Sequence, residues 1–206
     1  MKPRYSPPHV EGASYCQFPP DVSARKGDYQ PGDFILTHGN AFFSYLIRLG
    51  QTFRFFGKNR KYTWWNHAAL IVSPEGDIIE AVGAGVRRST ITHYAPTDYT
   101  VVRLGTLATD TDRQQVVAYA EWAIGQRYGI MTLISIAVSL LTGCKFTFGF
   151  DGQSICSGLV ARALERTSVI FDRSPSHIMP ADLAKYFTVE RPKRGASRGR
   201  IPRRQD

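Results

Sequence analysis

The chain has 206 residues, of which 43% are hydrophobic and 12% aromatic. This length fits one ordinary domain, and the apolar content is sufficient for a sizeable core, which excludes global disorder. Lys and Arg number 26 against 17 Asp and Glu, a formal net charge of +9, and such an excess favours an acidic partner such as nucleic acid, an anionic membrane or an acidic polymer.

The predicted elements are, in chain order, mainly strands in the first half and helices in the second. Residues 1–30 are predicted to form a Pro-rich, flexible, extended arm without a helical or strand period. Strands are predicted over 34–36, 66–72 and 77–82, with further strand near Val86, Ile91 and 99–104, and helices over 41–50, 111–124, after Cys156 and over 181–187. The helix over 111–124 is expected to begin at a capping box formed by Thr111 and Gln114, with Gly125 as its stop. This pattern indicates an α+β fold with an antiparallel sheet packed against helices.

The excess positive charge belongs to the C-terminal end. Residues 191–206 contain seven Lys or Arg and one Asp, which is +6, whereas residues 31–190 contain 15 and 13, which is +2. The tail is rich in Gly, Ser and Pro and is predicted to be disordered, either simply solvated or in contact with a polyanion or membrane surface. The sequence therefore predicts a nearly neutral domain over 31–190 and a basic disordered tail over 191–206.

The ends and the apolar run give no sign of a membrane segment or a leader. No apolar stretch follows Lys2 and Arg4, so no signal peptide is expected. The localisation stays unknown, with the cytoplasm as the default and a virion-borne or otherwise exported setting still open. The apolar run 130–141 is too short for a bilayer, which needs about 20 residues, and is predicted to be a buried or interfacial helix.

The three cysteines, Cys16, Cys144 and Cys156, fit neither a disulfide framework nor a zinc pattern. No metal and no cofactor are expected. Residues 156–164 carry an apolar stripe at helical spacing, and residues 151–154 supply a cap before it. Cys156 is therefore predicted in the first turn of a core-facing helix, where its thiol pKa would be lowered and backbone N–H groups could bind an oxyanion. A buried structural cysteine is the alternative.

Two further side chains are predicted to share one face of a β-hairpin. If the turn joins Val72 to Asp77, residue 69 pairs with 80, and Glu80 then lies on the same face as His67, one diagonal away. A carboxylate in such an apolar run needs a partner, and an imidazole is a suitable one. The alternatives are a satisfied core histidine and an edge-strand glutamate facing solvent. A thiolate, an imidazole and a carboxylate together predict a Cys-His-Glu triad.

Six ordered segments resemble one family of enzymes. The segments are residues 32–35, 66–70, 78–81, 125–129, 155–160 and 179–184. They are similar to segments of the permuted papain-like cysteine hydrolases. This family is related to the NlpC-type cell-wall peptidases and includes the YiiX-like and YaeF-like amidases. The resemblance implies a circularly permuted papain-like fold with Cys156 as nucleophile, His67 as general base, Glu80 as its orienting acid and Tyr128 assisting the oxyanion site. It implies cleavage of a peptide or cell-wall amide through an acyl-enzyme.

Several alternatives stay open at this level. The same fold family contains acyltransferases, so a lipid or acyl ester is a second substrate class. A non-catalytic binding module with a polyanion-binding tail and a nucleic-acid-binding protein are the rival classes. Arg87 or Arg88 could bind a substrate carboxylate and His38 or His93 could line the site, although ordinary solvated side chains are the favoured interpretation for all four. The oligomeric state is not predicted.

Overall fold

The computed structural model describes residues 11–39, 47–48, 51–52, 54–126 and 156–192. They form a mixed α+β structure built on an antiparallel sheet of six strands, in the spatial order β1-β6-β2-β3-β4-β5. The strands are β1 (Ser14–Phe18), β2 (Phe34–Thr37), β3 (His67–Ile71), β4 (Asp77–Val82), β5 (Gly85–Thr90) and β6 (Tyr99–Arg103). The α-helices are α1 (Asp110–Trp122), α2 (Cys156–Leu164) and α3 (Pro180–Tyr186), and short 3-10 helices cover Gly57–Tyr62, Ile91–Tyr94, Gly105–Leu107 and Pro175–His177.

The predicted fold class, α+β with an antiparallel sheet, is confirmed. The register of the β3–β4 hairpin is also as predicted: Ala69 pairs with Glu80, and the Val72 N–H donates to the Asp77 carbonyl at 2.8 Å. The tight turn between the strands fixes this register, and a slip by one residue would move the apolar side chains of one strand to the other face.

The predicted arm over residues 1–30 contains a strand that the sequence analysis missed. Residues 14–18 form β1 and pair with β6 at one edge of the sheet. Tyr15 and Cys16 are consecutive yet both buried, because the two faces of this strand are both covered. A strand covered on both faces does not alternate between apolar and polar residues, so the sequence of β1 lacks the alternation typical of a half-buried strand.

The start of α1 corrects a second expectation. The capping box is formed by Thr109 and Asp112, not by Thr111 and Gln114: the Asp112 N–H donates to the Thr109 hydroxyl at 3.2 Å, and the Thr109 N–H donates to the Asp112 carboxylate at 2.9 Å. A carboxylate three residues after the cap suits this reciprocal pair as well as Glu or Gln does. The cap therefore lies two residues earlier than expected, and the helix begins at Asp110.

Three expectations fall mostly on residues outside the described ranges. Of the helix predicted over 41–50, residues 47 and 48 are described, and both are helical. The apolar run 130–141 and residues 193–206 of the basic tail lie outside the described part of the chain. Within that part, none of the helices has the length and apolar character required to cross a bilayer.

The two faces of the sheet carry separate apolar clusters. One face packs against the three helices and includes Phe34, Leu36, Ala68, Leu70, Ile79 and Val102. The opposite face carries Ile35, Ala69, Ile71, Ile78, Tyr99 and Val101. By strand alternation, His67 and Glu80 belong to this second face, away from the helices.

A buried ion pair joins the beginning of β2 to α1. Arg113 Nη1 lies 2.7 Å from Asp33 Oδ1, and their side chains are 10% and 1% exposed. Asp33 also accepts backbone N–H groups from Leu104 at 3.0 Å and from Gln30 at 2.9 Å. The carboxylate is thus fully engaged, and its removal would leave a buried cation without its counter-ion and two backbone donors without their acceptor.

We expect Asp33→Ala to lower the free energy of unfolding by about 3–5 kcal/mol, because one member of a buried ion pair is lost. Urea unfolding followed by circular dichroism measures this. Lys26→Ala, which breaks the exposed pair between Lys26 and Glu75, should leave the unfolding free energy nearly unchanged. Equal losses in both variants would contradict this assignment.

Candidate active site

The structure brings the three predicted triad side chains together. His67 is the first residue of β3, Glu80 lies within β4 and Cys156 is the first residue of α2. His67 Nε2 lies 2.8 Å from Glu80 Oε2, and the imidazole also shares a hydrogen bond with the Cys156 side chain. Because Nε2 is taken by Glu80, Nδ1 is the ring nitrogen available to the sulfur. Tyr128, the fourth predicted site residue, lies outside the described residues.

Cys156 reaches His67 where the pairing of β3 with β4 stops. The paired positions run from Ile71 to Ala69, and the next residue, Ala68, directs its backbone N–H to the Cys156 sulfur. Helix α2 packs on the face opposite to His67, so a continuous ladder would separate the two side chains. Because the β3–β4 hydrogen bonds end at Ala69, the Cys156 sulfur can reach the His67 imidazole past the end of the paired strands.

Both sides of the site are fixed by polar contacts. The Ser157 hydroxyl donates to the Ile178 carbonyl at 2.6 Å, which ties the first turn of α2 to the segment before α3. Asn66 exchanges two hydrogen bonds of 2.8 Å with the Gly39 backbone, which holds the residue before His67 against the loop after β2. The nucleophile candidate and the imidazole are thereby anchored to different parts of the fold.

Glu80 is fully buried and accepts four hydrogen bonds. Its Oε2 accepts from His67 Nε2 and from the Tyr94 hydroxyl. Its Oε1 accepts from Nε and Nη2 of Arg87 at 3.2 and 3.1 Å. The interpretation of Glu80 as a solvent-facing edge residue does not apply, since its side chain is 0% exposed.

Arg87 and Tyr94 were not assigned these contacts by the sequence analysis. The Arg87 contact follows from the β4–β5 register, in which Glu80 pairs with Arg87, and the short turn after Val82 could have indicated it. Tyr94 ends the 3-10 helix after β5, and its position depends on tertiary packing that no local pattern encodes. The Tyr94 and His67 rings lie 5.6 Å apart between centroids.

The electrostatics favour an ionised triad. Burial opposes ionisation of Glu80, but the hydrogen bonds from His67, Tyr94 and Arg87 outweigh it and lower the carboxyl pKa to about 2. Burial likewise opposes the charged imidazole, yet the Cys156 sulfur and Glu80 raise the His67 pKa to about 9. Burial would keep the Cys156 thiol neutral, but the imidazolium and the Ala68 and Ser157 N–H groups lower its pKa. This arrangement holds a thiolate beside an imidazolium.

The other candidate side chains have different contacts. The His38 ring stacks on Trp64 with centroids 3.7 Å apart, and its Nδ1 lies 2.8 Å from the Trp64 carbonyl oxygen. Arg88 pairs with Glu121, and His93 contacts Tyr94 edge to face. Among the described residues, no group of three or more His, Cys, Asp or Glu could hold a metal ion.

Neither the family models nor the curated proteins compared with this chain gave a match. What the site can do chemically therefore has to follow from its own residues and contacts.

The two described cysteines offer a matched test of the thiol environment. Both are 1% exposed, but burial, reinforced by Asp28, raises the pKa of Cys16 to about 11, whereas that of Cys156 is lowered. We expect iodoacetamide to alkylate Cys156 near neutral pH and Cys16 only at strongly alkaline pH, because the thiolate is the reactive form. Peptide mass spectrometry after timed labelling measures both rates; similar pH profiles would contradict the described environment.

The Glu80 pKa also predicts an acid-sensitive stability. The folded value, about 2, lies below the ordinary value of 4.5, so the stabilising contribution is complete above pH 4.5 and is lost as pH falls towards 2. Glu80→Gln cannot titrate and should flatten the decline of unfolding free energy between pH 5 and 3, measured by urea unfolding. Glu75→Gln, at an exposed carboxylate, is the control and should keep the wild-type slope. An unchanged slope in Glu80→Gln would refute the assignment.

Proposed function

We propose that this chain is a cysteine hydrolase that cleaves an amide bond through an acyl-enzyme. The observation that carries the proposal is the hydrogen-bonded series from Cys156 through His67 to Glu80. Three ionisable side chains that need partners when buried are gathered from three separate elements. Each has the contact that its catalytic role requires: a nucleophile beside a base, and a base oriented by a third group.

The reaction follows from these contacts. The Cys156 thiolate attacks the carbonyl carbon of the substrate, and the carbonyl oxygen takes the negative charge of the tetrahedral intermediate. The His67 imidazolium gives its proton to the departing amine as the carbon–nitrogen bond breaks. A water molecule, deprotonated by His67, then attacks the thioester, and the acid is released as Cys156 becomes thiolate again.

Glu80 supports both proton transfers without taking a proton itself. Its hydrogen bond to Nε2 fixes the orientation of the imidazole and stabilises the imidazolium state. The side of the ring that faces Cys156 can then exchange its proton with the leaving group and with water.

We further propose that the fold is a permuted papain-like one. The support is the order His67, Glu80, Cys156 along the chain, in which the nucleophile helix α2 follows the antiparallel sheet against which it packs. With the resemblance in six sequence segments, this favours a peptide or cell-wall amide as substrate. A lipid or acyl ester would react through the same acyl-enzyme and is therefore an outcome of the test.

A trapped acyl-enzyme tests the proposal and identifies the acyl group. The chain is incubated with peptidoglycan-derived peptides, peptide amides and acyl esters, quenched in acid and analysed by intact and peptide mass spectrometry. We expect an adduct on Cys156 with the mass of the acyl part of the reactive substrate. Cys156→Ala should lose turnover by about a thousandfold or more.

The controls separate this activity from its rivals. Cys16→Ala and deletion of residues 193–206 should leave turnover of a small substrate unchanged, since neither contributes to the triad. An adduct formed with esters alone would replace the amidase by an esterase or acyltransferase. Absence of any adduct, together with polyanion binding that is lost on removal of the tail, would favour the non-catalytic binding module.

A further inference from the structure

The carboxylate of Glu80 has no acceptor position left. An ionised carboxylate accepts about four hydrogen bonds and donates none, and the four contacts from His67, Tyr94 and Arg87 use this capacity. A proton placed on either oxygen would face donors and would break at least one of these contacts. The surroundings of Glu80 are therefore complementary to its charged form only.

Three of the four hydrogen bonds come from residues outside the triad. Arg87 reaches Glu80 from β5 through two nitrogens, and Tyr94 reaches it from the 3-10 helix that follows β5. Tyr94 and His67 share the same oxygen, Oε2, so the tyrosine hydroxyl acts directly on the atom that holds the imidazole. Both residues therefore hold the carboxylate through direct hydrogen bonds.

We propose that Arg87 and Tyr94 are positioning residues that keep Glu80 ionised and directed at His67, and that they thereby set the lower pH limit of Cys156 reactivity. The proposal rests on the proposed function, because it assigns Glu80 the task of holding the imidazolium. In this proposal the guanidinium of Arg87 binds the carboxylate of Glu80 within the protein. The sequence alone had left open that it binds a carboxylate of the substrate.

The direction of the pH effect follows from the groups around Glu80. They are His67 on β3, Arg87 on β5, Tyr94 on the 3-10 helix and, beyond the imidazole, Cys156 on α2. Without the hydrogen bonds from Tyr94 or Arg87, burial is opposed less strongly, and the pKa of the Glu80 carboxyl should rise. Once Glu80 takes a proton, its hydrogen bond no longer holds the His67 ring against the sulfur, and the thiolate loses the contact that stabilises it. Cys156 then becomes unreactive at a higher pH than in the wild type.

The chain provides a matched control for each residue. Arg88 follows Arg87 on β5 with similar exposure, 48% against 52%, yet it points to the opposite face and pairs with Glu121. The Tyr186 hydroxyl accepts a hydrogen bond from the Ile170 N–H at 3.3 Å. Tyr186→Phe therefore removes a tyrosine hydrogen bond that involves neither Glu80 nor its donors. These variants separate a local effect on Glu80 from a general loss of charge or stability.

The experiment measures the rate of Cys156 alkylation by iodoacetamide from pH 4 to 9 in the full chain, with the melting temperature of each variant. In Tyr94→Phe, the midpoint of the acid side should rise by about one pH unit, which is a roughly tenfold lower labelling rate at pH 5. Arg87→Gln should shift it in the same direction, and Arg87→Lys should recover part of the shift. Arg88→Gln and Tyr186→Phe should keep the wild-type profile.

The outcomes distinguish this proposal from the proposed function. Labelling needs no substrate, so a shifted profile without any acyl-enzyme would support the positioning roles and reject the hydrolase. Wild-type profiles in Tyr94→Phe and Arg87→Gln, with an acyl-enzyme formed, would reject the positioning roles alone. A lower melting temperature with an unshifted midpoint would show a merely structural role and would also overturn the proposal.

Discussion

Burial of the Glu80 carboxylate is the constraint around which the site is arranged. A charged group without water costs several kcal/mol unless protein donors replace its hydration. The sheet provides these donors from both neighbouring strands, because His67 on β3 and Arg87 on β5 flank β4. Tyr94 completes the set from the end of the same hairpin. The imidazole is therefore fixed by a carboxylate that is itself fixed from the opposite side.

The second requirement is that side chains from opposite faces of one sheet can contact each other. His67 and Glu80 belong to the face away from the helices, whereas Cys156 belongs to a helix on the other face. The end of the β3–β4 pairing at Ala69 reconciles these positions, and it also frees the Ala68 N–H to contact the sulfur. The Ala68 N–H, which makes no strand-to-strand hydrogen bond where the pairing has ended, thus contributes to stabilising the thiolate.

The parts that sequence reasoning could reach are those set by short-range rules. The hairpin turn between Val72 and Asp77 determined the register, and the register brought Glu80 to the face of His67. Strand β1 was not predicted because both of its faces are buried. The cap of α1 lies at Thr109 and not at Thr111 because the carboxylate of Asp112 completes the capping box there. Tyr94 could not be found, since its contact with Glu80 depends on how the chain folds back after β5. Local pattern predicts pairs within a hairpin, but not the third element that packs onto them.

Burial alone does not decide the chemistry of a side chain in this fold. Cys16 and Cys156 are equally buried, yet their pKa values are shifted in opposite directions. Desolvation raises both, so the difference comes from neighbours: Cys16 has the carboxylate of Asp28 nearby, whereas Cys156 has an imidazolium and two backbone N–H groups. The same reasoning explains Glu80, whose donors overcome a burial that would otherwise neutralise it. Reactivity at this site is therefore a property of the hydrogen-bond network, and a variant that leaves the core packed but removes one donor should change chemistry before it changes stability.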